Sequence, residues 1–397
     1  MSTPIKQHLI DPEICIRCHA CVDACAKEAI SFNDDNVVVD ASICDQDMAC
    51  LGPCPTGAID SWQVVASPYS LEEQLNWMEL PEQRDLEVRD ASDPADGPVE
   101  DTIAALLDEA HQGAGGVAIA PVSAATPSVN LNGAKTPVKA VVQGNFRLTA
   151  QDADADVRHI ILDLGHANFP VLEGQTIGII PPGQDEKGRS HQPRLYSVSS
   201  PRDGERPKTN NLSLTLKREK NGLCSNYMCD LERGDELDLI GPFGSSFLIA
   251  DDPKARLIMI CTGTGSAPFR AFTMHRQRVL PELSGSMKLF FGARTPDSLP
   301  YFGPLGKVPQ TFLEKHFAFS RVSGQPKTYV QDRLREDAEN LVPMLSDPNT
   351  YIYICGLKAM ETGVEAAFQD IARAAGLDWQ EVRGQMLASG RYHVETY

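Results

Sequence analysis

The chain has 397 residues and a formal net charge of −18, and its length predicts two or three domains rather than a single core. It contains no apolar run of about 18 residues, and its start lacks the apolar stretch of a secretory signal. We therefore expect a cytoplasmic protein without a membrane span. Nucleic-acid binding is disfavoured, because contacts with phosphates require a basic surface. Eleven cysteines in a reducing compartment favour metal binding or catalysis over disulfides.

The acidic charge is concentrated in the first third of the chain. Residues 1–66 carry a net charge of −7 and residues 67–137 carry −10, whereas the remaining residues are near −1. This acidity is equally consistent with simple solubility and with docking of the acidic part onto a basic surface.

The cysteines between residues 15 and 54 have the spacing of an iron–sulfur binding segment. Four of them follow the pattern C-x2-C-x2-C-x3-C, and a second group ends in Cys54-Pro55. Each group is followed by a similar tail, which contains Ala29-Ile30 in the first case and Ala58-Ile59 in the second. In such runs the fourth cysteine binds the other cluster. Zinc is the structural alternative, but it usually binds pairs of cysteines or histidines.

Residues 8–64 resemble the ferredoxin family with two [4Fe-4S] clusters. The exchange of fourth ligands assigns one cubane to Cys15, Cys18, Cys21 and Cys54, and the other to Cys25, Cys44 and Cys50. The chain departs from the family where Ala26 replaces a proline and where Asp47 replaces a cysteine. Iron in a thiolate cluster binds a carboxylate less firmly. The second cluster is therefore predicted to be either a [4Fe-4S] centre with Asp47 as ligand or a [3Fe-4S] centre.

Residues 67–137 are acidic and then rich in alanine, proline and glycine. A short helix is predicted over 70–78, with Ser70 as its N-cap and Glu73 completing a capping box. A second helix is predicted over 102–111. The remainder is predicted to be a mobile linker that covers or tethers the cysteine-rich domain.

Residues 138–250 contain short runs of branched and aromatic residues separated by Gly, Asn and Pro, which predicts an antiparallel barrel. The predicted strands are 157–164, 175–180, 194–198, 212–217 and 236–241. Alternation along a strand puts Arg194 and Tyr196 on one face and Ser197 on the other. A guanidinium for a pyrophosphate, a ring for stacking and a hydroxyl for the N5 edge suit a flavin. By itself, the same pattern also fits an ordinary amphipathic strand.

Residues 222–225 precede a helix predicted over 226–231. Gly222 allows the backbone to approach a ligand, and Ser225 with the free N–H groups of the helix start is suited to an anion such as pyrophosphate. A simple capped helix is the alternative.

Residues 251–397 alternate predicted strands with helices, which indicates a parallel sheet with a site at the C-terminal ends of its strands. An apolar strand over 256–261 leads into the glycine loop 262–265 and then a helix over 269–278. Such a loop brings the backbone against a dinucleotide pyrophosphate. Further strands are predicted over 288–293, 317–320 and 351–355.

From about residue 138 to residue 397 the sequence resembles plant-type ferredoxin–NADP reductase. The motifs that carry the resemblance are Arg194-Leu-Tyr-Ser197, Gly222-Leu-Cys-Ser-Asn226, Thr262-Gly-Thr-Gly265, Ser320-Arg321, Lys327-Thr-Tyr329-Val-Gln331, Tyr353-Ile-Cys-Gly-Leu357 and Val394-Glu-Thr-Tyr397. The resemblance implies FAD on the barrel, NADPH on the second lobe, and hydride transfer where they meet. One departure is Gly241-Pro-Phe-Gly-Ser245, where the family usually has lysine after the second glycine.

The resemblance also implies roles for individual residues. The implied FAD-binding residues are Arg194, Tyr196, Ser197, Leu216, Lys217, Gly222, Leu223, Cys224, Ser225 and Tyr397. The implied NADP-binding residues are Thr262, Gly263, Thr264, Gly265, Arg294, Ser320, Arg321, Lys327, Tyr329, Gln331, Gly356 and Leu357. The implied catalytic residues are Ser197, Cys355, Glu395 and Tyr397. The terminal tyrosine is expected to stack on the flavin and to yield to nicotinamide.

The domain order is similar to that of the reductase components of benzoyl-CoA 2,3-epoxidases. That resemblance implies electron transfer from NADPH through FAD and the clusters to a di-iron oxygenase acting on an aromatic CoA thioester. A flavin suits this chain because it exchanges electrons either in pairs or singly. The alternatives are a general NADPH–ferredoxin reductase that serves other soluble carriers, and a non-enzymatic electron-carrier module.

Overall fold

The structure is a computed structural model. It describes residues 5–12, 15–45, 49–51, 53–54, 58–59, 62–65, 67–78, 80–81, 99–111, 113, 119–153, 155–184 and 188–397. The chain divides into two compact units, the first formed by residues 1–93 and 219–222 and the second by residues 94–218 and 223–397. No helix in these described ranges is both long and apolar enough to cross a membrane.

Two short antiparallel sheets and two helices form the described part of the first unit. The strands are β1 (Ile5–His8), β2 (Ile30–Phe32), β3 (Val37–Val39) and β4 (Trp62–Val65), and the helices are α1 (Ala20–Ala24) and α2 (Leu71–Leu75). β1 pairs with β4, and β2 pairs with β3. The core contains Ile10, Cys21, Ile30, Val37, Val39, Cys50, Ala58 and Ile59. The small apolar core is therefore built around cysteines.

The two halves of the first unit repeat each other's backbone hydrogen bonds. The Asp11 N–H donates to the Ala58 carbonyl at 2.9 Å, and the Asp40 N–H donates to the Ala29 carbonyl at 2.8 Å. In both halves the cysteine four residues after the aspartate donates its N–H back to that aspartate's carbonyl, at 3.1 and 3.0 Å. Each half therefore holds the tail of the other half, as the matching tails of the sequence suggest.

Helix α2 begins at the predicted capping box. The Glu73 N–H donates to Ser70 Oγ at 3.2 Å, and the Ser70 N–H donates to Glu73 Oε2 at 2.7 Å. The side chain of Gln74 is buried, and it exchanges two hydrogen bonds with the backbone of Val39, at 3.1 and 2.9 Å. The helix ends at Leu75, three residues before its predicted end. This start of the predicted linker is thus part of the first unit.

A closed antiparallel sheet forms one part of the second unit. Its strands are β5 (Val138–Arg147), β6 (Val157–Asp163), β7 (Thr176–Ile179), β8 (Arg194–Ser197), β9 (Asn211–Lys217) and β10 (Glu236–Phe243). Within the described ranges their order is β8-β7-β10-β5-β6-β9. A bridge between Val198 and Leu214 joins the two end strands. The barrel is confirmed, and β5 adds a strand that was not among those predicted.

The segment before the barrel is also part of the second unit. Residues 119–137 were predicted to be a mobile linker, but Asn132 pairs with Gly241 of β10. Their N–H groups donate to each other's carbonyls at 3.0 and 2.7 Å. Helix α3 (Val99–Ala110) precedes this segment and begins three residues earlier than predicted. The linker prediction is therefore wrong for these residues.

A parallel sheet forms the other part of the second unit. Its strands are β11 (Arg256–Thr262), β12 (Met287–Ala293), β13 (Glu314–Phe319), β14 (Thr350–Gly356) and β15 (Tyr392–Thr396). Their order is β13-β12-β11-β14-β15, and all the pairs are parallel. Besides α3, the α-helices in the described part of this unit are α4 (Leu223–Asp230), α5 (Ser266–Val279), α6 (Phe302–Lys307), α7 (Val330–Glu336), α8 (Ala338–Leu345), α9 (Lys358–Ala374) and α10 (Trp379–Ala388).

The parallel sheet is confirmed, but α5 begins earlier than the sequence predicts. The helix starts at Ser266, three residues before the predicted start at Phe269. Pro268 lies in its first turn, where a missing N–H costs nothing because those N–H groups have no partner within the helix. Strand β15 was not predicted, although it contains the candidate catalytic residue Glu395 and ends immediately before Tyr397.

One buried charged cluster joins the barrel to the parallel-sheet lobe. Arg270 of α5 donates to both carboxylate oxygens of Glu205, at 2.8 and 2.9 Å. His159 of β6 lies with Nε2 3.1 Å from Glu205 and with Nδ1 2.7 Å from the Tyr301 hydroxyl. Burial raises the pKa of Glu205, but its contacts with His159 and Arg270 outweigh burial and hold it well below its usual range. Burial lowers the pKa of His159, which fits a neutral ring that donates to Glu205 and accepts from Tyr301.

A second charged cluster surrounds His275 of α5. Its Nδ1 lies 3.3 Å from Glu173, and its Nε2 lies 2.9 Å from Asp251. Arg202 donates twice to Glu173, at 2.9 and 2.6 Å. Burial lowers the pKa of His275, but the two carboxylates outweigh burial and raise it to about 9. Burial raises the pKa of Glu173, but His275 and Arg202 outweigh it and lower the value to about 2. The cluster is therefore fully charged at neutral pH.

The charge on His275 predicts a loss of stability at alkaline pH. A histidine with a raised pKa in the folded state stabilises the fold fully below its unfolded value, and the stabilisation is lost as the pH rises through about 9. The shift corresponds to about 3 kcal/mol. We expect the free energy of unfolding to fall by up to that amount between pH 7 and pH 10, and His275→Gln to remove this fall.

The measurement is urea unfolding of both proteins across that pH range. His166→Gln is the matched control, because His166 is exposed. An equal alkaline loss in wild type and His275→Gln would show that the ring does not carry the effect.

Candidate active site

The glycine loop after β11 lies at the C-terminal edge of the parallel sheet. Gly263 has a φ of +54°, and nothing lies within 4 Å of the position that a Cβ would take there. At Gly265 a Cβ would lie 2.2 Å from the carbonyl oxygen of Cys355. Glycine therefore lets the loop pass against the end of β14 and leaves backbone accessible at Gly263. This arrangement fits a pyrophosphate-binding turn, in which main-chain N–H groups approach the ligand.

Positive side chains follow the next two strands at the same edge. The Arg321 N–H donates to the Arg294 carbonyl at 2.8 Å, so the ends of β12 and β13 lie side by side. Both arginines are exposed, whereas Ser320 and Lys327 are half-buried. Tyr329 is the residue before α7 and is half-buried. The structure thus brings these five predicted NADP-binding residues to one edge of the sheet.

The remaining predicted NADP-binding residues divide between this edge and the protein interior. Gly356 ends β14 with a φ of +141°, and a Cβ there would lie 2.7 Å from Thr262 Oγ1. Leu357 is 58% exposed and lies beside the loop. Gln331 is on α7 with its side chain against α9, since a Cβ at Gly363 would lie 2.9 Å from its Cδ. Gln331 is therefore held by helix packing.

The barrel presents the arginine-tyrosine-serine strand as its end strand β8. Arg194 is exposed, and the Tyr196 hydroxyl contacts the thiol of Cys224 on α4. Tyr196 packs against the barrel core, while Ser197 faces the C-terminal strand of the other lobe. The predicted alternation of side chains along this strand is confirmed.

One prediction for the flavin side needs correction, and the structure limits how a second residue could bind a ligand. Helix α4 begins at Leu223, not at Asn226, so Cys224 and Ser225 lie in its first turn instead of preceding it. Leu216 is 2% exposed and belongs to the barrel core, which leaves only its main chain to contact a ligand. Its neighbour Lys217 is exposed, as expected from alternation along β9. Gly222 remains immediately before the helix.

The candidate catalytic residues meet where the barrel contacts the edge of the parallel sheet. Ser197 Oγ donates to Glu395 Oε2 at 3.4 Å. In the sheet, Glu395 of β15 is paired in register with Cys355 of β14. The Tyr397 hydroxyl lies 2.8 Å from Thr264 Oγ1, and the tyrosine is 56% exposed. The structure therefore brings all four candidate catalytic residues and the glycine loop together.

Burial sets the protonation of this group of residues. It raises the pKa of Glu395 to about 7, while the hydrogen bond from Ser197 acts in the opposite direction. Burial also raises the pKa of the Cys355 thiol well above its usual value. At neutral pH the thiol is therefore uncharged, and Glu395 is poised to gain or lose a proton, as a general acid or base requires.

The cysteines of the first unit converge in two groups. Burial, together with the nearby Cys54 and Cys15, raises the pKa of the Cys21 thiol to about 11. Burial raises the pKa of the Cys50 thiol to about 12, and its neighbours include Cys44, Cys21 and Cys25. Cys54 thus lies near Cys21 and Cys15, and Cys25 lies near Cys50, which is also near Cys21. This donor set suits iron–sulfur clusters, and Cys18 is exposed on the same loop. Asp47 lies outside the described residues.

The loop between the first cysteines has an uncommon backbone. Arg17 and His19 both have positive φ values, 53° and 62°, which cost energy for residues other than glycine. Two contacts hold the loop in this shape. Arg17 Nε donates to the Asp35 carbonyl at 2.6 Å, and the His19 ring stacks on Phe32 at 3.8 Å between centroids. The cysteines are therefore presented by a loop that its surroundings keep fixed.

The sequence did not reveal the residues that orient the two lobes. Arg270 and Glu205 are 65 positions apart, and no local motif connects them. Thr176 was also missed. It is the cross-strand partner of Ser197, so it lies on the same face of the barrel. Both sets of neighbours depend on the tertiary structure, which sequence spacing does not specify.

Comparison with known proteins gives matches in both parts of the chain. Residues 259–366 match the family described as "Oxidoreductase NAD-binding domain", and residues 8–31 match "4Fe-4S binding domain". Ferredoxin–NADP reductase from Spirulina sp. is 36% identical over 288 residues, which cover 68% of this chain and 98% of the relative. The cyanelle enzyme of Cyanophora paradoxa is 39% identical over 275 residues, covering 64% and 74% of the two chains.

A solved structure agrees with these relatives. Ferredoxin–NADP+ reductase from Plasmodium falciparum is 26% identical, with a TM-score of 0.54 over 68% of this chain and 99% of that one. The same protein has also been solved with 2'P-AMP, at 25% identity and a TM-score of 0.54 over the same shares. The chain therefore belongs to the ferredoxin–NADP reductase family of NADPH-dependent oxidoreductases and carries a 4Fe-4S binding domain.

Proposed function

We propose that electrons pass in this chain from NADPH through FAD to iron–sulfur clusters of its own N-terminal region, and then to a di-iron oxygenase that acts on benzoyl-CoA. The domains would be residues 1–66 for the ferredoxin, 138–250 for the FAD barrel and 251–397 for the NADP lobe. The contact between Ser197 and Glu395 carries the reductase part of the proposal, because it brings the strand ends of the two lobes together.

The barrel supplies groups that fit FAD. Arg194 is the exposed cation for the pyrophosphate, and the first turn of α4 presents N–H groups for the same anion. The ring of Tyr196 and, on the opposite side, Tyr397 would stack on the isoalloxazine. When bound, FAD accepts a hydride and passes its electrons on singly.

The residues beside the flavin site would exclude water and hold a proton. Glu395 is buried and accepts a hydrogen bond from Ser197, so a proton can move between solvent-shielded groups at this point. Cys355, next to Glu395 in the sheet, keeps an uncharged thiol against the same space. Tyr397, held to Thr264 but half exposed, is the residue that would yield to nicotinamide.

The edge with Arg294 and Arg321 supports a preference for NADPH over NADH. Guanidinium groups bind phosphate through paired hydrogen bonds, and Ser320 adds a hydroxyl and Tyr329 a ring at the same edge. The Plasmodium falciparum relative was solved with 2'P-AMP, which carries the phosphate that distinguishes the two nucleotides. These residues would therefore hold the 2′-phosphate.

The N-terminal cysteines support two clusters with exchanged ligands. Cys54 lies near Cys15 and Cys21, and Cys25 lies near Cys50. This is the grouping that the exchange of fourth ligands requires. We propose a [4Fe-4S] cluster in the first group. In the second, the fourth ligand would be Asp47 or would be absent, which gives a [3Fe-4S] centre.

The proposed oxygenase partner rests on domain order. A fused iron–sulfur unit would replace the separate ferredoxin to which a reductase passes electrons. Tethering raises the local concentration of this unit to roughly the millimolar range. Such a chain is suited to a dedicated acceptor. A general reductase that serves several soluble carriers is the second candidate, favoured by the overall match to ferredoxin–NADP reductases.

Arg321→Ala is expected to reduce the selectivity for NADPH. Charge-assisted hydrogen bonds contribute about 1.5 to 3 kcal/mol each, so wild type should prefer NADPH over NADH at least tenfold. The variant should lose about tenfold in kcat/KM with NADPH and keep its kcat/KM with NADH. Steady-state dye reduction with both nucleotides measures this. Arg373→Ala, which removes an exposed arginine of α9, is the control. Equal loss with NADH would contradict a 2′-phosphate contact.

Glu395→Gln is expected to slow flavin reduction by at least about tenfold, the lower range for loss of an acid–base group. The wild-type rate should change with a midpoint near pH 7, the pKa of Glu395, and the variant should lack this midpoint. Stopped-flow absorbance after mixing with NADPH measures both. Glu381→Gln on the exposed side of α10 is the control. A midpoint that persists in Glu395→Gln would assign it to another group.

Electron delivery to the acceptor should require the first cysteine group. Oxygenation of benzoyl-CoA by a candidate di-iron oxygenase, with NADPH and O2, is expected only when this protein is present. Cys21→Ser should abolish it while leaving NADPH-dependent ferricyanide reduction intact. Cys229→Ser, which changes a buried cysteine of the barrel core, is the control. Full oxygenation by Cys21→Ser would remove this cluster from the path, and no oxygenation by wild type would favour the general reductase.

A further inference from the structure

Strand β15, which carries Glu395, is an edge strand whose residues are all buried. An edge strand has N–H and C=O groups without a partner strand, and proteins often cover such an edge with a helix or loop. Here α3 lies against β15. Farther along the same segment, the Ala120 carbonyl passes so close to Gly390 that a Cβ there would lie 2.5 Å from its oxygen. Helix α3 and residues 119–120 therefore cover part of this edge.

Helix α3 also packs on the barrel. Ile103 is 6% exposed and forms an apolar cluster with Ile240 and Phe243, against which Leu195 also packs. Leu195 lies two residues before Ser197 and therefore on the same face of β8. A Cβ at Gly178 would lie 2.6 Å from Ile240, so glycine is required for this cluster to sit close to the sheet. Helix α3 thus lies on the barrel face that carries Ser197.

Polar contacts attach α3 and the residues after it to both lobes. Thr102 Oγ1, on a residue that is 4% exposed, donates to Gln192 Oε1 at 3.2 Å. On the other lobe, Glu109 lies 3.5 Å from Lys358 of α9. Arg383 of α10 donates to the Gly113 carbonyl at 2.8 Å. The helix is therefore fixed in the angle between the barrel and the parallel sheet.

We propose that α3 is a positioning element of the hydride-transfer site, which holds β15 against the barrel and keeps water from the Ser197–Glu395 pair. This inference rests on the proposed function of Glu395. It assigns a role in the reaction to a segment that lies before the barrel in the chain. The side chain that does most of this work is Ile103, because it is buried against the face that carries Ser197.

The consequence for Glu395 has a definite sign. The groups that face it are Ser197 from β8, Cys355 from β14 and Tyr397, which follows the end of β15. None of these adds a positive charge, and burial is what raises its pKa. Admitting water beside β15 removes part of that effect and lowers the pKa towards its ordinary value.

The test uses the full-length protein with its cofactors bound and Ile103→Ala. Stopped-flow flavin reduction by NADPH between pH 5 and pH 9 gives the midpoint of the rate profile. We expect the midpoint to move down by roughly one pH unit in the variant. Glu109→Gln, which breaks only the exposed ion pair with Lys358, should leave it unchanged. Thr102→Val, which keeps the shape of the side chain but removes its hydrogen bond, should shift it in the same direction by a smaller amount.

The outcomes separate this inference from the proposed function. A wild-type profile without a midpoint near pH 7 would contradict the role of Glu395 itself. A wild-type midpoint that stays in place in both Ile103→Ala and Thr102→Val, even if Ile103→Ala unfolds at lower temperature, would show that α3 only stabilises the fold. If Ile103→Ala does not retain flavin, the midpoint of Thr102→Val decides the question: a downward shift supports the positioning role of α3, and an unchanged midpoint shows that α3 only stabilises the fold.

Discussion

The paired hydrogen bonds between Arg270 and Glu205 are the contact on which the candidate site depends. The site consists of side chains from two separately built sheets, and Ser197 reaches Glu395 only if the barrel and the parallel sheet keep one orientation. A buried charged pair is suited to this because removing one partner leaves an unpaired charge and costs about 3 to 5 kcal/mol. The ring of His159, bound to the same carboxylate, restricts the orientation further.

Burial raises the pKa of both Glu205 and Glu395, but the two carboxyl groups end in different charge states. At Glu205, opposite charges outweigh the effect of burial and the carboxylate stays ionised. At Glu395 no such charge is present among the groups that face it, and burial raises the pKa to about 7. The same physical effect, desolvation, therefore gives a structural anion at one position and a proton-exchanging acid at the other. The difference lies in whether an arginine accompanies the carboxylate.

The parts of the structure that depend on local pattern were predictable. Alternating side chains placed Tyr196 and Ser197 on opposite faces of β8, and the capping box at Ser70 marked the start of α2.

Features that depend on distant contacts were not predictable. Residues around Asn132 lack a strand pattern, yet pairing with β10 orders them. One local feature was also misplaced: the predicted start of α5 lies after Pro268, although a proline is acceptable in a first turn.

The crossed hydrogen bonds of the first unit have a consequence for how that unit assembles. Because Asp11 binds the tail of the second half and Asp40 binds the tail of the first, neither half has its complete set of partners alone. The two halves are therefore interlocked through reciprocal backbone hydrogen bonds. A duplicated segment with this geometry cannot lose one copy and keep the other folded. A substitution in one half that disturbs these hydrogen bonds therefore affects the other half as well.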